Sequence, residues 1–314
     1  MNALEGPKPA PIRAQPAKQG HSSAGGFPLG LGAYALWGVL PIYFKALADV
    51  SPGDIVAHRV LWSLPYLALL ITASKGWPKV RATMRIPRTI GMLSLTALLI
   101  GTNWLLYTYA VTSGHILAAS FGYYLNPLAN VLLGRFVLGE RLSRLQWTAV
   151  AIAAAGISVL AAGALSQLWL SLALCATFAS YGLLRKIVPA DAVTGMAIET
   201  TILFPLAIAW LGWLALASQP VMGLTHRDSE LLLLAGIVST TPLLLFTGAA
   251  RRLPYSTLGM LQFVAPTLQF LIAVALYGEP FTTAHAIAFP AIWAALVLYV
   301  VAMLRKPRLP QAPE

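Results

Sequence analysis

The sequence predicts an all-α membrane protein with ten transmembrane helices, arranged as two inverted five-helix repeats around a central cavity. Three observations lead to this prediction: the apolar composition, the placement of the basic residues and an internal repeat. Apolar residues make up 58% of the 314 residues and charged residues only 10%, with a mean hydropathy of +0.74. A soluble protein of this size would need a charged surface that this chain cannot supply.

The predicted helices follow from the lengths of the apolar segments. A spanning helix needs about 20 predominantly apolar residues, and ten segments approach or meet that length. In chain order they are 30–48, 55–74, 89–111, 116–138, 146–163, 168–184, 193–217, 230–250, 255–277 and 284–304. Residues 1–28 are rich in Pro, Ala, Lys and Gly, which predicts a disordered cytoplasmic tail. The two repeats occupy residues 29–164 and 165–305, and residues 306–314 form a short second tail.

The basic residues orient these helices. With the N terminus in the cytoplasm, 18 of the 21 Lys and Arg residues fall in the tails and inner loops. The outer loops hold only Arg227, and Lys45 and Arg59 lie within spans. This is the positive-inside pattern, so the pI near 10.0 indicates orientation in a lipid bilayer and no nucleic-acid partner. We expect a multi-pass protein of the plasma membrane, of the bacterial inner-membrane type, with both termini cytoplasmic.

The internal repeat has a period of 139 residues. This shift places Pro127 on Pro266, and the Gly-Glu pair at 139–140 on the pair at 278–279. Five spans per half is an odd number, so the second copy enters the membrane from the opposite side. Inverted repeats of this kind are typical of secondary transporters, whose substrate site lies near the midplane between the halves.

Two prolines mark the predicted midplane. Pro127 and Pro266 are the middle residues of spans four and nine, and each predicts a helix break because proline lacks an N–H and clashes with the preceding turn. Amide side chains near them are too costly to face lipid. We therefore expect a cavity that suits a small, mostly uncharged or zwitterionic amphipathic solute. Its candidate walls are Tyr123, Asn126, Asn130, Gln262 and Gln269, adjoined by Trp37, Asn103 and Tyr107. Hydrogen bonding between helices is the alternative role for these amides.

Two charges lie within predicted spans. Glu199 is the only acid deep in an apolar segment, and Arg59 lies in span two. Intramembrane charges are functional hypotheses by default, so Glu199 is a candidate proton or cation coupling site, with a structural ion pair as the alternative. Their depths place them in opposite leaflets, so each needs a different partner. We expect Glu199 to pair with one of the basic residues at 185–186, and Arg59 to pair with Asp49 or Asp54.

Local signals explain several other polar residues. Glu140 and Glu279 follow helix ends, which predicts structural turns. Ser143 and Gln146 have the spacing of a capping box that opens span five. Lys45, near an outer helix end, is expected to extend its ammonium group towards the membrane surface.

Signatures of enzymes and of metal sites are absent from the sequence. It contains no Walker loop, no Asp-x-x-x-Asp pair and no His-Glu-x-x-His motif. The five histidines are scattered, and Cys175 is the only cysteine, so we expect no cofactor or metal. Since the sequence shows no nucleotide-binding domain, we expect any active transport to use an ion gradient or the energy of a partner protein. The leading interpretation is a permease that exports a small-molecule substrate, a small metabolite or an amphipathic drug. A membrane-embedded enzyme, a lipid scramblase and a non-transporting scaffold are the alternatives, and a homodimer is one alternative for its assembly.

Seven segments with polar signatures also occur in a characteristic order. They are WGVLPIYFK, AHRVLW, IGTNWLLYTYAV, SFGYYLNPLANVLLGRFVLGERLSRLQW, YGLLRK, GMAIET and STLGMLQFVAPTLQFLIAVALYGE. Over residues 28–305 the chain thereby resembles the RarD proteins, ten-helix members of the EamA group in the drug/metabolite transporter superfamily. The resemblance implies ten helices, cytoplasmic termini and inverted five-helix repeats around a central cavity. Members are often labelled chloramphenicol-sensitivity proteins or permeases, and the resemblance supplies no agreed binding residues.

Overall fold

The computed structural model describes residues 25–112, 116–161, 168–223, 225–278 and 283–305. Within these ranges the chain forms helices joined by turns and short loops, without a β-strand. The helices are α1 (Gly26–Ala46), α2 (Pro52–Ala73), α3 (Trp77–Met84), α4 (Pro87–Thr112), α5 (Ile116–Phe136), α6 (Arg144–Ala161), α7 (Leu168–Ile187), α8 (Ala192–Leu216), α9 (His226–Ala250), α10 (Tyr255–Leu261), α11 (Val264–Tyr277) and α12 (Thr283–Leu304).

Eight helical segments of the described chain are long and apolar enough to cross a membrane. They are α1, α2, α4, α7, α8, α9, α12 and the continuous stretch of α10 and α11. Helices α5 and α6 coincide with the fourth and fifth predicted spans, and α6 contains a shorter apolar stretch, Arg144–Val159. The prediction of an all-helical, multi-pass membrane protein is therefore confirmed.

The outward faces of the helices are apolar. Leu206 and Leu216 of α8 are 70% and 89% exposed, and Val297 of α12 is 63% exposed. Isolated exposed apolar residues are common in soluble proteins, but side chains of this kind recur along most of these helices. Their surroundings are therefore lipid.

The predicted inner loop 75–88 contains the short helix α3, which connects to the other half of the chain. Lys79 forms an ion pair with Asp191, 2.9 Å between Nζ and Oδ2, and the Asp191 carboxylate caps α8 by accepting from the Thr194 N–H at 3.0 Å. Burial raises the pKa of this carboxyl, but the Thr194 N–H and the Lys79 ammonium outweigh burial and hold it to about 2. Asp191 is thus an ionised cap at physiological pH.

The two predicted helix breaks have different outcomes. Span nine is divided into α10 and α11, and the division lies four residues before Pro266, where the proline ring clashes with the carbonyl of Gln262. The chain tightens there into an i→i+3 turn, with the Phe263 N–H bonded to the Met260 carbonyl at 3.3 Å. Helix α5 instead continues through Pro127, so the break predicted at that proline is wrong.

Close packing explains why α5 stays helical. A Cβ added at Gly259 of α10 would lie 2.8 Å from the Pro127 carbonyl oxygen, so α10 lies directly against the proline turn. Helix α7 also packs along α5. Contact with these neighbours outweighs the local preference of one proline.

Each helix of the first half, apart from the short α3, packs mainly on helices of the second half. Helix α1 packs on α9 and α11, α2 on α8 and α9, α4 on α7 and α8, α5 on α7 and α10, and α6 on α12. The largest hydrophobic core lies along this contact, with Tyr34, Phe178, Phe246 and Tyr255 buried in it. The contact between the halves therefore forms the centre of the molecule.

Candidate functional site

Arg59 lies among aromatic side chains between α1, α2, α4 and α5. Its Cζ is 4.4 Å from the ring centroid of Trp104, a cation–π contact. Its guanidinium also interacts electrostatically with the hydroxyls of Tyr123, Tyr43 and Tyr107. The side chain is partly exposed, but its Nε is buried and has no hydrogen-bond partner within the described ranges. The Trp104 ring therefore contacts this arginine directly, and the three tyrosines act on its charge electrostatically.

The predicted acidic partner of Arg59 is wrong. Asp54 instead accepts a hydrogen bond from Trp210 Nε1 at 2.9 Å, and Asp49 is exposed to the surroundings. The ion pairs found in the described part of the chain include none with Arg59. Trp210 competes for Asp54 because α8 packs on α2, a contact that the sequence did not reveal.

Asn103 connects Arg59's neighbours to the second half. Its Nδ2 donates to the Leu174 carbonyl and to Thr177 Oγ1 of α7, both at 3.0 Å. Its Oδ1 accepts from the Tyr123 hydroxyl at 3.2 Å. Asn103 is buried, and the rings of Tyr107 and Tyr123 lie 5.8 Å apart. Asn103 therefore fixes the Tyr123 hydroxyl beside the guanidinium.

Aromatic rings continue from these tyrosines to α1. Tyr123 contacts Phe178 with centroids 6.4 Å apart, and Phe178 contacts Trp37 at 5.7 Å. Trp37 also packs on Phe246 at 5.6 Å. The structure thus brings together four predicted residues: Trp37, Asn103, Tyr107 and Tyr123.

Sequence reasoning missed Trp104 and Phe178 as members of this cluster. Trp104 directly follows Asn103, so an aromatic residue adjacent to a buried amide was an available signal. Phe178 lies in an apolar run of α7 with no polar neighbour that would have singled it out.

The remaining predicted amides lie mostly between helices. Asn130 of α5 donates from Nδ2 to Gln262 Oε1 at 2.9 Å, and both residues are buried. Asn126, one turn earlier on α5, is also buried, and neither polar atom of its amide has a hydrogen-bond partner within the described ranges. Asn130 and Gln262 thus form a polar contact between α5 and the end of α10.

Helices α1 and α11 are joined by two polar contacts. Gln269 donates from Nε2 to the Trp37 carbonyl at 3.0 Å. The Lys45 ammonium lies 3.6 Å from the Tyr277 ring centroid. Gln269 therefore reaches the backbone behind Trp37 and does not join Asn130 and Gln262.

Glu199 has the basic partner that the sequence predicted. Arg185 Nε lies 3.4 Å from Glu199 Oε1, and both side chains are buried. Thr96 donates from its hydroxyl to the same oxygen at 2.5 Å. Arg185 Nη2 donates to the Ala192 carbonyl at 3.2 Å, which ties α7 to the start of α8. Oε2 of Glu199 has no hydrogen-bond partner in the described chain.

Glu140 forms more than the predicted turn. Its carboxylate accepts from the Tyr255 N–H at 2.5 Å, and from the N–H and hydroxyl of Ser256 at 2.9 and 2.6 Å. The turn depends on Gly139, whose φ of 70° is in the left-handed region. Glu140 thus caps α10, in the other half of the chain. Glu279 lies outside the described residues.

Two surface depressions lie near these contacts. One of about 490 Å³ is formed at the turn between α5 and α6 by Arg135, Gly139, Arg141, Leu142 and Trp147. The other, of about 340 Å³, lies between α1 and α9 and is lined by Leu36, Val39, Leu40, Tyr43, Ile237, Val238, Thr241 and Pro242. The second depression includes Tyr43, a neighbour of Arg59, so it reaches one edge of the aromatic cluster.

The cluster is suited to binding and not to bond-making chemistry. Arg59 offers a permanent charge, the tyrosines offer hydroxyls and the rings offer apolar faces. In the described ranges no group of three or more His, Cys, Asp or Glu residues could hold a metal ion.

Proteins with similar sequences carry transporter or RarD names. The model of the EamA-like transporter family matches residues 24–162. An "Uncharacterized transporter" of Vibrio cholerae is 48% identical over 88% of this chain and 92% of that protein. "Protein RarD" of Escherichia coli K12 is 43% identical over 87% of this chain and 93% of that protein. The "Chloramphenicol-sensitive protein RarD" of Pseudomonas aeruginosa is 36% identical over 88% and 93%.

A solved crystal structure shares the fold. It aligns with a TM-score of 0.71 over 91% of this chain and all of that chain. At 20% identity this likeness concerns the fold alone.

Proposed function

The chain belongs to the RarD family of EamA-like transporters, and we propose that it is a secondary transporter that exports a small metabolite or amphipathic drug. It is a multi-pass membrane transporter and not an enzyme. The observation that carries the finer proposal is the cluster of Arg59, Tyr107, Tyr123 and Asn103 at the contact between the halves. A transporter needs its substrate site where the two moving parts meet.

The proposed architecture has ten spans in two inverted repeats. Helices α4 and α9 begin 139 residues apart, and so do α5 and α10, and α6 and α12. The packing follows the same symmetry if α1 corresponds to α7, α4 to α9 and α5 to α10 and α11. The contact of α1 with α9 then has its counterpart in the contact of α7 with α4, and the contact of α1 with α11 in that of α7 with α5. Gly139 and Gly278 share the same spacing and have φ values of 70° and 65°. The positive-inside pattern supports cytoplasmic termini in a bacterial inner membrane.

Contacts between the halves provide the elements of alternating access. Three polar contacts lie towards the ends that the positive-inside pattern assigns to the cytoplasm: Lys79 with Asp191, Thr96 with Glu199, and Glu140 with the start of α10. Opening the inner side requires these contacts to separate. The buried Asn126 amide without a partner supports a second arrangement of α5 against α10, because such groups are normally hydrogen-bonded.

Glu199 is the proposed coupling residue. Its carboxylate contacts groups from both halves, Thr96 and Arg185, so a proton or cation that weakened the pair with Arg185 would also weaken the contact with α4. Binding at this position would thereby be linked to opening of the cytoplasmic side.

Transport by the purified protein tests the proposal. Metabolites released by cells with and without the protein are identified by mass spectrometry, and each candidate, together with chloramphenicol, is assayed for flux in proteoliposomes that contain only this protein. We expect at least one compound to move faster than in empty liposomes. Tyr123→Phe, which removes the hydroxyl bound to Asn103, should raise the KM for that compound, and Tyr109→Phe, an exposed tyrosine on α4, is the matched control. Flux equal to that of empty liposomes for every compound would refute transport.

A further inference from the structure

Arg59 and Arg185 are both held inside the helix bundle, but their surroundings differ. Arg185 is fully buried and pairs with Glu199. Within the described ranges Arg59 forms no ion pair with an acid. The Arg59 side chain is partly exposed, but its Nε is buried without a hydrogen-bond partner in the described chain. Charged side chains within membrane spans commonly mark a substrate or ion pathway.

We propose that Arg59 binds the carboxylate of the transported solute, and that this solute is a small monocarboxylic acid with an apolar or aromatic body. This inference rests on the transport function proposed above, and it names the substrate class of the same site.

The orientation of the guanidinium favours a carboxylate. Arg59 Cζ lies 4.4 Å from the centroid of the Trp104 ring, a contact that occupies none of the hydrogen-bonding capacity of the guanidinium N–H groups. An arginine edge matches the two oxygens of a carboxylate in a bidentate arrangement. Tyr107 interacts electrostatically with the same guanidinium, and its hydroxyl can donate to a carboxylate oxygen. A neutral amide would bind these donors less strongly than a carboxylate, because it carries no charge and cannot accept two parallel hydrogen bonds.

The charge balance of the cluster favours a single anionic group. The cluster has Arg59 as its cation, and Asp54, the acid that precedes Arg59 on α2, is occupied by Trp210. A phosphate group carries up to two charges and would lack a second cation. A solute ammonium would have ring faces but no carboxylate as a partner.

The rest of the solute would contact aromatic rings. Phe178 of α7 contacts Tyr123, and Trp37 of α1 contacts Phe178, so apolar ring surface continues from Tyr123 between the two halves. Arg59 lies about 10 Å, close to two helical turns, from the start of α2. Its neighbours from α1, α4 and α5 place the guanidinium towards the bundle interior, so a lipid headgroup is not its partner.

Chemical protection of Arg59 tests the proposal on the unmodified full chain in proteoliposomes. Phenylglyoxal, which reacts with accessible guanidinium groups, is applied, and the modification of each arginine is followed by peptide mass spectrometry. The probes are 3-phenylpropionate, its neutral isostere 3-phenylpropanamide, and phenyl phosphate. We expect 3-phenylpropionate to slow the modification of Arg59 at least tenfold and the other two to have little effect. Arg135, in the depression at the α5–α6 turn, serves as the internal control and should react equally in all samples.

Two variants give an independent measurement. Arg59→Gln should weaken binding of 3-phenylpropionate, measured by tryptophan fluorescence, at least tenfold, and Arg59→Lys should retain part of it. Arg135→Gln is the matched control and should bind normally. If Arg59→Gln does not fold, the protection measurement on the unmodified chain still decides the question.

The outcomes separate this inference from the transport function. Equal protection by acid and amide would overturn carboxylate recognition and leave a substrate site in place. Protection by phenyl phosphate alone would overturn it in favour of a phosphate ligand. Failure of all three probes, or an unreactive Arg59 beside a reactive Arg135, would also overturn it. The proteoliposome flux of released metabolites decides the transport function separately.

Discussion

Replacement of Glu140 tests the connection between the two halves. Its carboxylate accepts three hydrogen bonds from Tyr255 and Ser256 at the start of α10. A hydrogen bond to a charged group contributes about 1.5–3 kcal/mol, and loss of a helix cap costs about 0.5–2 kcal/mol. The three bonds share one half-buried carboxylate, so they do not add. We expect Glu140→Ala to lower the free energy of unfolding by about 2–4 kcal/mol, and Glu140→Gln, which keeps one acceptor oxygen, by about 1–2 kcal/mol.

The assay combines thermal unfolding with hydrogen exchange on the detergent-purified full chain. Both variants should have lower melting temperatures, in the order Ala below Gln. The amides of residues 255–261 should exchange faster, because the cap that orders the first turn of α10 is lost. Glu230→Gln, which changes an exposed acid on α9, is the matched control and should leave both measurements unchanged.

Two results would refute this account of Glu140. Melting temperatures equal to that of Glu230→Gln would mean that the three hydrogen bonds contribute nothing net. A lower melting temperature without faster exchange at 255–261 would place the effect of Glu140 elsewhere than at α10.

Three further replacements test other contacts. Glu199→Gln leaves Arg185 buried without its acid, which should cost about 3–5 kcal/mol and flatten the pH dependence of proteoliposome flux; an unchanged pH profile would make Glu199 structural. Gly195→Ala would place a methyl group 2.0 Å from Arg185 Nη1 and should lower the free energy of unfolding by about 1–3 kcal/mol. Gly212→Ala is the control, since its added methyl group meets nothing within 4 Å and should not lower stability. Equal melting temperatures of the two variants would contradict the packing of Arg185. The Asp191 carboxyl has its pKa lowered to about 2, so its stabilising contribution is complete above its unfolded pKa of about 3.9 and is lost as the pH falls towards 2. Asp191→Asn should remove this part of the acid dependence of unfolding, and an identical acid limb would show that the carboxylate is not a cap.

The helices were predictable from sequence because the thickness of the bilayer sets their length. The ends were less predictable, since they depend on caps and on neighbouring helices. One cap was readable: Gln146 Oε1 accepts from the Ser143 N–H at 2.8 Å, and the Gln146 N–H donates to Ser143 Oγ at 3.3 Å. The capping-box prediction is confirmed because both partners lie within four residues.

Residues whose roles depend on distant partners were not predictable in the same way. The repeat pairs Tyr123 with Gln262 and Asn130 with Gln269, but a shift of 139 residues does not say that Asn130 and Gln262 meet in space. Only the packing of α5 on α10 brings their amides to 2.9 Å. Pro127 and Pro266 likewise occupy equivalent positions, and only the second divides its helix, because different neighbours pack on each.

The two intramembrane charges show why one partner was predictable and the other was not. Glu199 lies about two helical turns after the start of α8, and the short connection after α7 allows the long Arg185 side chain to reach its carboxylate. Sequence proximity was therefore sufficient. Arg59 lies only five residues after Asp54, yet Asp54 binds Trp210 of α8 while Trp104 of α4 covers the guanidinium. Both aromatic residues are more than 40 positions away in sequence. A charge whose nearest acid is taken by another helix is left for a ligand, and the contact between the halves leaves Arg59 in that position.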